Sequence, residues 1–173
     1  MKVSSPDLLH KSDAGLVRVG VGSAKEVRAA YDELLAKARR ANKKARIEGV
    51  LVCEMVTGGV EMLIGVSHDQ LFGPVVTVGL GGIFTEVFGD VTFRVPPFDV
   101  NEARRALREL KGYQLLEGVR GAAPADVDAL VETVMNVQRL ALDLAGDVRE
   151  LDITPLIVRP RGAVALDALV VKK

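Results

Sequence analysis

Most of the β-branched runs in this chain are separated by turns of only a few residues, too short for the helical crossover that a parallel strand pair demands. The runs over 15–21, 49–56, 60–66, 74–79, 91–95, 150–158 and 163–171 read as strands. Thr57-Gly58-Gly59 and the Pro160-Arg161-Gly162 tip are of hairpin length, so the strands that flank them are expected to pair antiparallel. Three helical patterns stand apart from these runs rather than alternating with them. The expected fold is therefore α+β, a largely antiparallel sheet with helices packed on it, and not a doubly wound parallel sheet.

The helices announce themselves by their caps. Ser23-Ala24-Lys25-Glu26 is a capping box, and Val27, Ala30, Tyr31, Leu34, Leu35 and Ala38 follow at helical spacing, with Glu33 and Lys37 paired on the exposed side. Asp99 ahead of Glu102 opens a second helix, whose stripe is Ala103, Ala106, Leu107 and Leu110 and whose stop is Gly112. A third spans about 126–145, turning Val127, Leu130, Val131, Val134 and Ala141 inward and ending before Gly146.

Composition narrows the function. The 173 residues fit one domain, 1–173, large enough to bury a core, and 49% hydrophobic against 27% charged residues is a globular balance. With 23 basic and 23 acidic side chains there is no basic excess, which removes nucleic acid and an anionic membrane surface as main partners. One cysteine, Cys53, excludes an internal disulfide, and with only two histidines it excludes a Cys/His zinc site. No run approaches the ~18 apolar residues of a membrane helix, and the N-terminus lacks an apolar signal core, so a soluble, cytoplasmic protein is expected. Aromatics are scarce at 4%, without tryptophan, which leaves recognition to backbone groups and charge.

Four constellations could carry chemistry. In Glu150-Leu151-Asp152-Ile153-Thr154 the alternation puts Glu150, Asp152 and Thr154 on one face, and a hairpin at Gly162 can bring Asp167 near them. Two carboxylates and a hydroxyl are hard oxygen donors of the kind Mg²⁺ takes when it also carries phosphates, or equally an ordinary solvated sheet face. Val78-Gly79-Leu80-Gly81-Gly82-Ile83 frees the backbone to aim N–H groups at an anion, or makes a glycine-rich turn; it matches neither a P-loop nor a dinucleotide fingerprint, and no helix is read after it. Glu54 and Glu61 flank the expected hairpin, where Cys53 is read as a packing residue. His10 sits among charges in Asp7-Leu8-Leu9-His10-Lys11-Ser12-Asp13, as base, phosphoryl acceptor or bystander.

Taken in order, these blocks resemble the ATP-grasp domain of the nucleoside-diphosphate-forming acyl-CoA synthetases, related to succinyl-CoA synthetase. The resemblance runs from Lys2-Val3-Ser4-Ser5-Pro6 through His10-Lys11-Ser12-Asp13, Glu54-Met55, Gly58-Gly59-Val60-Glu61, Phe72-Gly73-Pro74 and Gly79-Leu80-Gly81-Gly82. It continues through Lys111-Gly112-Tyr113, Gly118-Val119-Arg120-Gly121, Asp152-Ile153-Thr154-Pro155 and Leu166-Asp167-Ala168. It implies a reversible reaction in which acyl-CoA, phosphate and ADP become acid, CoA and ATP, with a phosphohistidine carrying the phosphoryl group. It further implies Glu54 and Met55 at the adenine, Lys2 on nucleotide phosphates, Glu61 in the nucleotide pocket, and Gly81 and Gly82 against the nucleotide. Asp167 and Thr154 correspond to the Mg²⁺ ligands, to which the strand alternation adds Asp152, and His10 corresponds to a second phosphorylatable histidine.

In the same resemblance the domain is incomplete at its N-terminus, and the CoA-binding and main phosphohistidine domains lie on a partner domain or subunit. Apolar surface left by the missing segment could drive self-association into a homo-oligomer. The family commonly has asparagine where this chain has Thr154. That difference keeps open a second reading, a catalytically degenerate scaffold or ligand-sensing domain of a multidomain protein acyltransferase or regulator.

Overall fold

Met62, Ile64 and Val66 alternate with Glu61, Leu63 and Gly65 along a ten-residue strand, and this period of two decides which face of the main sheet is buried. The computed structural model describes residues 1–8, 11 and 14–173. It divides into two compact units, Met1–Thr57 and Gly58–Lys173.

In the first unit, β1 (Lys2–Ser4) pairs antiparallel with β2 (Gly49–Leu51), Lys2 facing Leu51, and Lys2 also bridges Val17. The helix α1 (Ala24–Ala41) starts at Ser23 with both arms of the expected capping box: the Glu26 N–H donates to Ser23 Oγ at 3.2 Å, and the Ser23 N–H to Glu26 Oε2 at 3.1 Å. The Gly22 N–H also donates to that carboxylate, and these bonds hold Glu26 below the usual carboxylate range. Ala30, Leu34 and Ala38 are the buried face, and Leu34 and Ala38 pack with Val3 and Leu16. Of the strand expected over 15–21, only the bridge at Val17 is realised: the Val3 N–H donates to the Leu16 carbonyl and the Arg18 N–H to the Met1 carbonyl, on either side of the Lys2–Val17 pair.

The second unit holds a six-stranded antiparallel sheet in the order β5 (Val91–Arg94), β4 (Gly73–Leu80), β3 (Val60–Asp69), β6 (Val148–Val158) and β7 (Ala163–Ala165), with β8 (Ala168–Lys172) also on β6. The turn from β3 to β4 is fixed by Asp69, whose carboxylate accepts the N–H groups of Leu71 and Phe72 at 2.8 and 3.0 Å. One sheet face is covered by α3 (Val100–Arg108) and α5 (Val127–Asp143), which bury Ala103, Leu107, Leu130, Val131, Val134 and Ala141 against β3, β4 and β6. Each buried leucine or valine among these gains about 1.5–3 kcal/mol on burial, which is what holds the helices down. The α+β expectation is met. The hairpin expected at Thr57-Gly58-Gly59 is not formed: β2 takes β1 as its partner, β3 takes β4 and β6, and the glycines fall at the boundary between units.

Two polar clamps hold α5 to its surroundings. Asp126 caps α5 through the Ala129 N–H at 3.0 Å, and its other oxygen accepts the Gly162 N–H at 2.8 Å, tying the β6–β7 hairpin tip to the helix. These N–H donors, Gly162 first, hold the Asp126 carboxyl below the usual range. Gln138, buried in α5, spans the Phe98 backbone: Oε1 accepts its N–H at 3.0 Å and Nε2 donates to its carbonyl at 2.8 Å. Gln138→Leu strips both partners and should destabilise the fold by about 1–3 kcal/mol for each backbone group left unpaired, read as a lower urea midpoint. An unchanged midpoint would show that water replaces the amide.

Candidate functional site

The glycine-rich turn after β4 is held from three sides. The Gly81 N–H donates to the Glu61 carbonyl at 2.7 Å, the Thr85 hydroxyl donates to the Leu80 carbonyl, and the Leu80 N–H donates to the Asp90 carbonyl at 3.2 Å. The Asp90 carboxylate, buried, accepts the N–H groups of Lys111 and Gly112 at 2.8 and 2.9 Å, so the turn is anchored to the segment after α3. The Glu61 side chain lies over Gly81: a Cβ there would stand 2.5 Å from Glu61 Cγ and 2.9 Å from Oε1. Gly82 has φ 57° and ψ −141°, a region only glycine occupies, and it opens the short helix α2 (Ile83–Phe88). That helix corrects the expectation that none follows the glycines. Six residues without a side-chain cap leave little periodic signal to read.

Glu61, Leu80, Gly81, Gly82, Val119 and Ala122 border an open cavity of ≈ 390 Å³. It brings together three residues that the sequence singles out separately, Glu61, Gly81 and Gly82. Glu61 fills the space over Gly81, so the acidic group and the Gly82 backbone are what this rim offers a ligand.

The second grouping is made by a β-bulge. Met62 faces Leu156 and Ile64 faces Ile153, so Thr154 and Pro155 together oppose the single Leu63. The inward positions of β6 switch from Leu151 and Ile153 before the bulge to Leu156 and Val158 after it. Thr154 keeps the outward face that Asp152 occupies, and its hydroxyl donates to Asp152 Oδ1 at 3.0 Å. Strands β7 and β8 follow one continuous register along β6, with Leu156 facing Ala165 and Ile153 facing Ala168. The break between them, Leu166-Asp167, therefore lies opposite Pro155 and Thr154, and the Leu166 N–H donates to the Pro155 carbonyl at 2.8 Å. Asp167 thus shares the outward face with Thr154 and Asp152, while its Oδ1 accepts the Ala168 N–H at 3.2 Å.

Two carboxylates and a hydroxyl are hard oxygen donors, and that set fits Mg²⁺, whose remaining positions are ordinarily taken by water and phosphate oxygens. Among the described residues no group of three or more His, Cys, Asp or Glu side chains gathers as a self-sufficient metal cage.

The other expected residues lie in the first unit. Lys2 is half-buried in β1, and Glu54 and Met55 are exposed in an irregular stretch after β2. His10 lies outside the described residues. Cys53 is exposed, which corrects its reading as a packing residue: the strand expected to bury it ends at Leu51. Sequence reasoning missed Asp90 as an anchor; the signal available was an aspartate directly after Gly89 and one residue before a β-branched run.

The fold and these groupings define a class: the sequence pattern of the ATP-grasp domain matches residues 1–171, and the chain belongs to the ATP-grasp family. It is 41% identical to the beta subunit of acetate–CoA ligase [ADP-forming] II from Pyrococcus furiosus, spanning 100% of this chain and 74% of that subunit. It is 42% identical to acetate–CoA ligase [ADP-forming] I of Archaeoglobus fulgidus over 96% of this chain but only 24% of that protein's length. Its fold superposes with TM-score 0.95 and 40% identity on the dinucleotide-forming acetyl-coenzyme A synthetase 1 of Ca. Korarchaeum cryptofilum in complex with coenzyme A and Ca-AMPCP, covering 99% of this chain and 75% of that one. The same enzyme has been solved with Mg-AMPPCP and its phosphohistidine segment pointing towards the nucleotide-binding site (TM-score 0.85, 37% identity, 100% and 75% coverage).

Proposed function

We propose that this chain is the nucleotide-binding part of an ADP-forming acyl-CoA synthetase, binding ATP or ADP with Mg²⁺ and exchanging a phosphoryl group with the phosphohistidine of a CoA-binding partner domain or subunit. The observation that carries the reading is the outward set of Asp152, Thr154 and Asp167, aligned by the bulge and by the shared register of β7 and β8. In this reading Asp167, with Asp152 and Thr154, holds Mg²⁺, which neutralises phosphate charge. Glu61, Gly81 and Gly82 border the nucleotide, with Glu61 packed over Gly81. Lys2, Glu54 and Met55 are assigned to phosphate and adenine, and His10 to phosphoryl relay, on the sequence blocks that carry them. We place the protein in the cytoplasm; among the described residues no helix is long and apolar enough to cross a membrane.

Calorimetric titration with ATP and ADP, with and without Mg²⁺, tests the reading. Saturable binding that strengthens with Mg²⁺ is expected. No saturable binding of either nucleotide, with Mg²⁺ and a CoA-binding partner subunit supplied, would overturn it.

A further inference from the structure

Gly118-Val119-Arg120-Gly121 has no role in the reading so far. Arg120 is, among the described residues, the one position other than glycine with positive φ, at 52°. Side chains avoid that conformation unless the surroundings impose it. Here they do. Gly118, at φ 88°, has no room for a Cβ against the Ala122 carbonyl, Gly121 follows at φ 85°, and the Ala122 N–H closes the loop onto the Val119 carbonyl at 3.0 Å. The loop ends where the Ala125 N–H donates to the Leu116 carbonyl at 2.9 Å. A backbone constrained this way holds one arginine at a fixed place.

Val119 and Ala122, on either side of Arg120 and Gly121, line the cavity that Glu61, Gly81 and Gly82 border, so the arginine stands beside that cavity rather than in its wall. Arg120 is exposed and, among the described residues, makes no ion pair or hydrogen bond. The loop therefore accounts for the backbone conformation, while among the described residues the guanidinium itself is left without a partner. A guanidinium presents donors in a planar fork that matches phosphoryl oxygens.

We propose that Arg120 is a phosphoryl-binding residue of this cavity, engaging the phosphate oxygens of a group brought against the Gly81–Gly82 turn. The identity of that group rests on the nucleotide reading above. Its source is either the terminal phosphate of a nucleotide or an N-linked phosphoryl group such as a phosphohistidine carries.

The test compares wild type, Arg120→Ala and Arg120→Gly by calorimetry with AMP, ADP and ATP in Mg²⁺, and by ³¹P NMR titration with phosphoramidate. AMP affinity should be unchanged, while ATP or phosphoramidate binding should weaken about 10- to 100-fold, the worth of a charge-assisted hydrogen bond. Loss for ATP alone assigns the nucleotide's phosphate; loss for phosphoramidate alone assigns the N-phosphoryl group. Arg120→Gly relieves the backbone, so its Tm should equal or exceed that of wild type while binding falls. Unchanged affinity for every probe would overturn the proposal, and a lowered Tm in Arg120→Gly with unchanged binding would show that the arginine serves the fold. If wild type binds phosphoramidate but no nucleotide, the nucleotide reading fails and the phosphoramidate arm still decides Arg120; if it binds no probe, both fail.

Discussion

Asp167→Asn is expected to weaken Mg²⁺-nucleotide binding by about 10- to 100-fold, the loss that accompanies removal of a charged oxygen donor. The substitution is chosen because asparagine keeps the shape of the side chain and an oxygen that can accept the Ala168 N–H now bonded to Asp167 Oδ1. Thermal stability should therefore move by less than ~1 kcal/mol, or about 2–4 °C in Tm. Nucleotide binding measured without Mg²⁺ should be nearly unaffected, which separates loss of the cation from general damage to the sheet face. Equal Mg²⁺-nucleotide affinity in wild type and variant would remove Asp167 from the metal set and leave Asp152 and Thr154 as an ordinary outward-facing pair.

The second large effect is expected at Gly82. Its φ of 57° and ψ of −141° exclude a β-branched residue, so Gly82→Val should cost about 1–3 kcal/mol and lower Tm by several degrees. Crowding is not the cause, since a Cβ at this position would find its nearest neighbour, Glu61 Oε2, at 3.7 Å, an ordinary contact. The backbone must instead rotate, which pulls the turn away from Glu61 and re-aims the start of α2. Nucleotide binding should be lost along with the geometry. A variant with wild-type Tm and wild-type affinity would show that this turn is only a connection between β4 and α2.

How much of this was legible in the residues depends on whether the signal was local. The caps at Ser23, Asp99 and Asp126 are local, each a short polar side chain bonded to an N–H three residues on, and all three helices start where they were expected. The hairpin at Gly162 is local too. The pairing of β1 with β2 is not: strand segments of three residues, some 45 positions apart, carry almost no periodic pattern, and the glycine pair at 58–59 advertised a closer partner that the sheet does not use.

At the site, the oxygen set was legible because Asp152 and Thr154 alternate and Gly162 turns the chain back towards them. The bulge that decides the register between them and β3 was not, since an extra residue in one strand shows only against its partner. Glu61 beside Gly81 was likewise invisible. Twenty positions in sequence separate Glu61 from Gly81, and it is the β3–β4 register, with Met62 facing Leu80, that returns the chain to it.

The extra residue in β6 has a consequence for how this surface can change. On a regular strand every second side chain belongs to the core, so an alteration of the outward row is felt by the packing beneath through a common rigid pleat. Here two successive positions, 154 and 155, share a single partner on β3, and the inward row resumes at Leu156 whatever stands at 154. Threonine or asparagine at 154 therefore poses the same packing problem to the interior. On the proposed reading of this face as a cation site, the donor at 154 can be exchanged by single steps, and affinity tuned, without each step having to be compensated elsewhere in the protein.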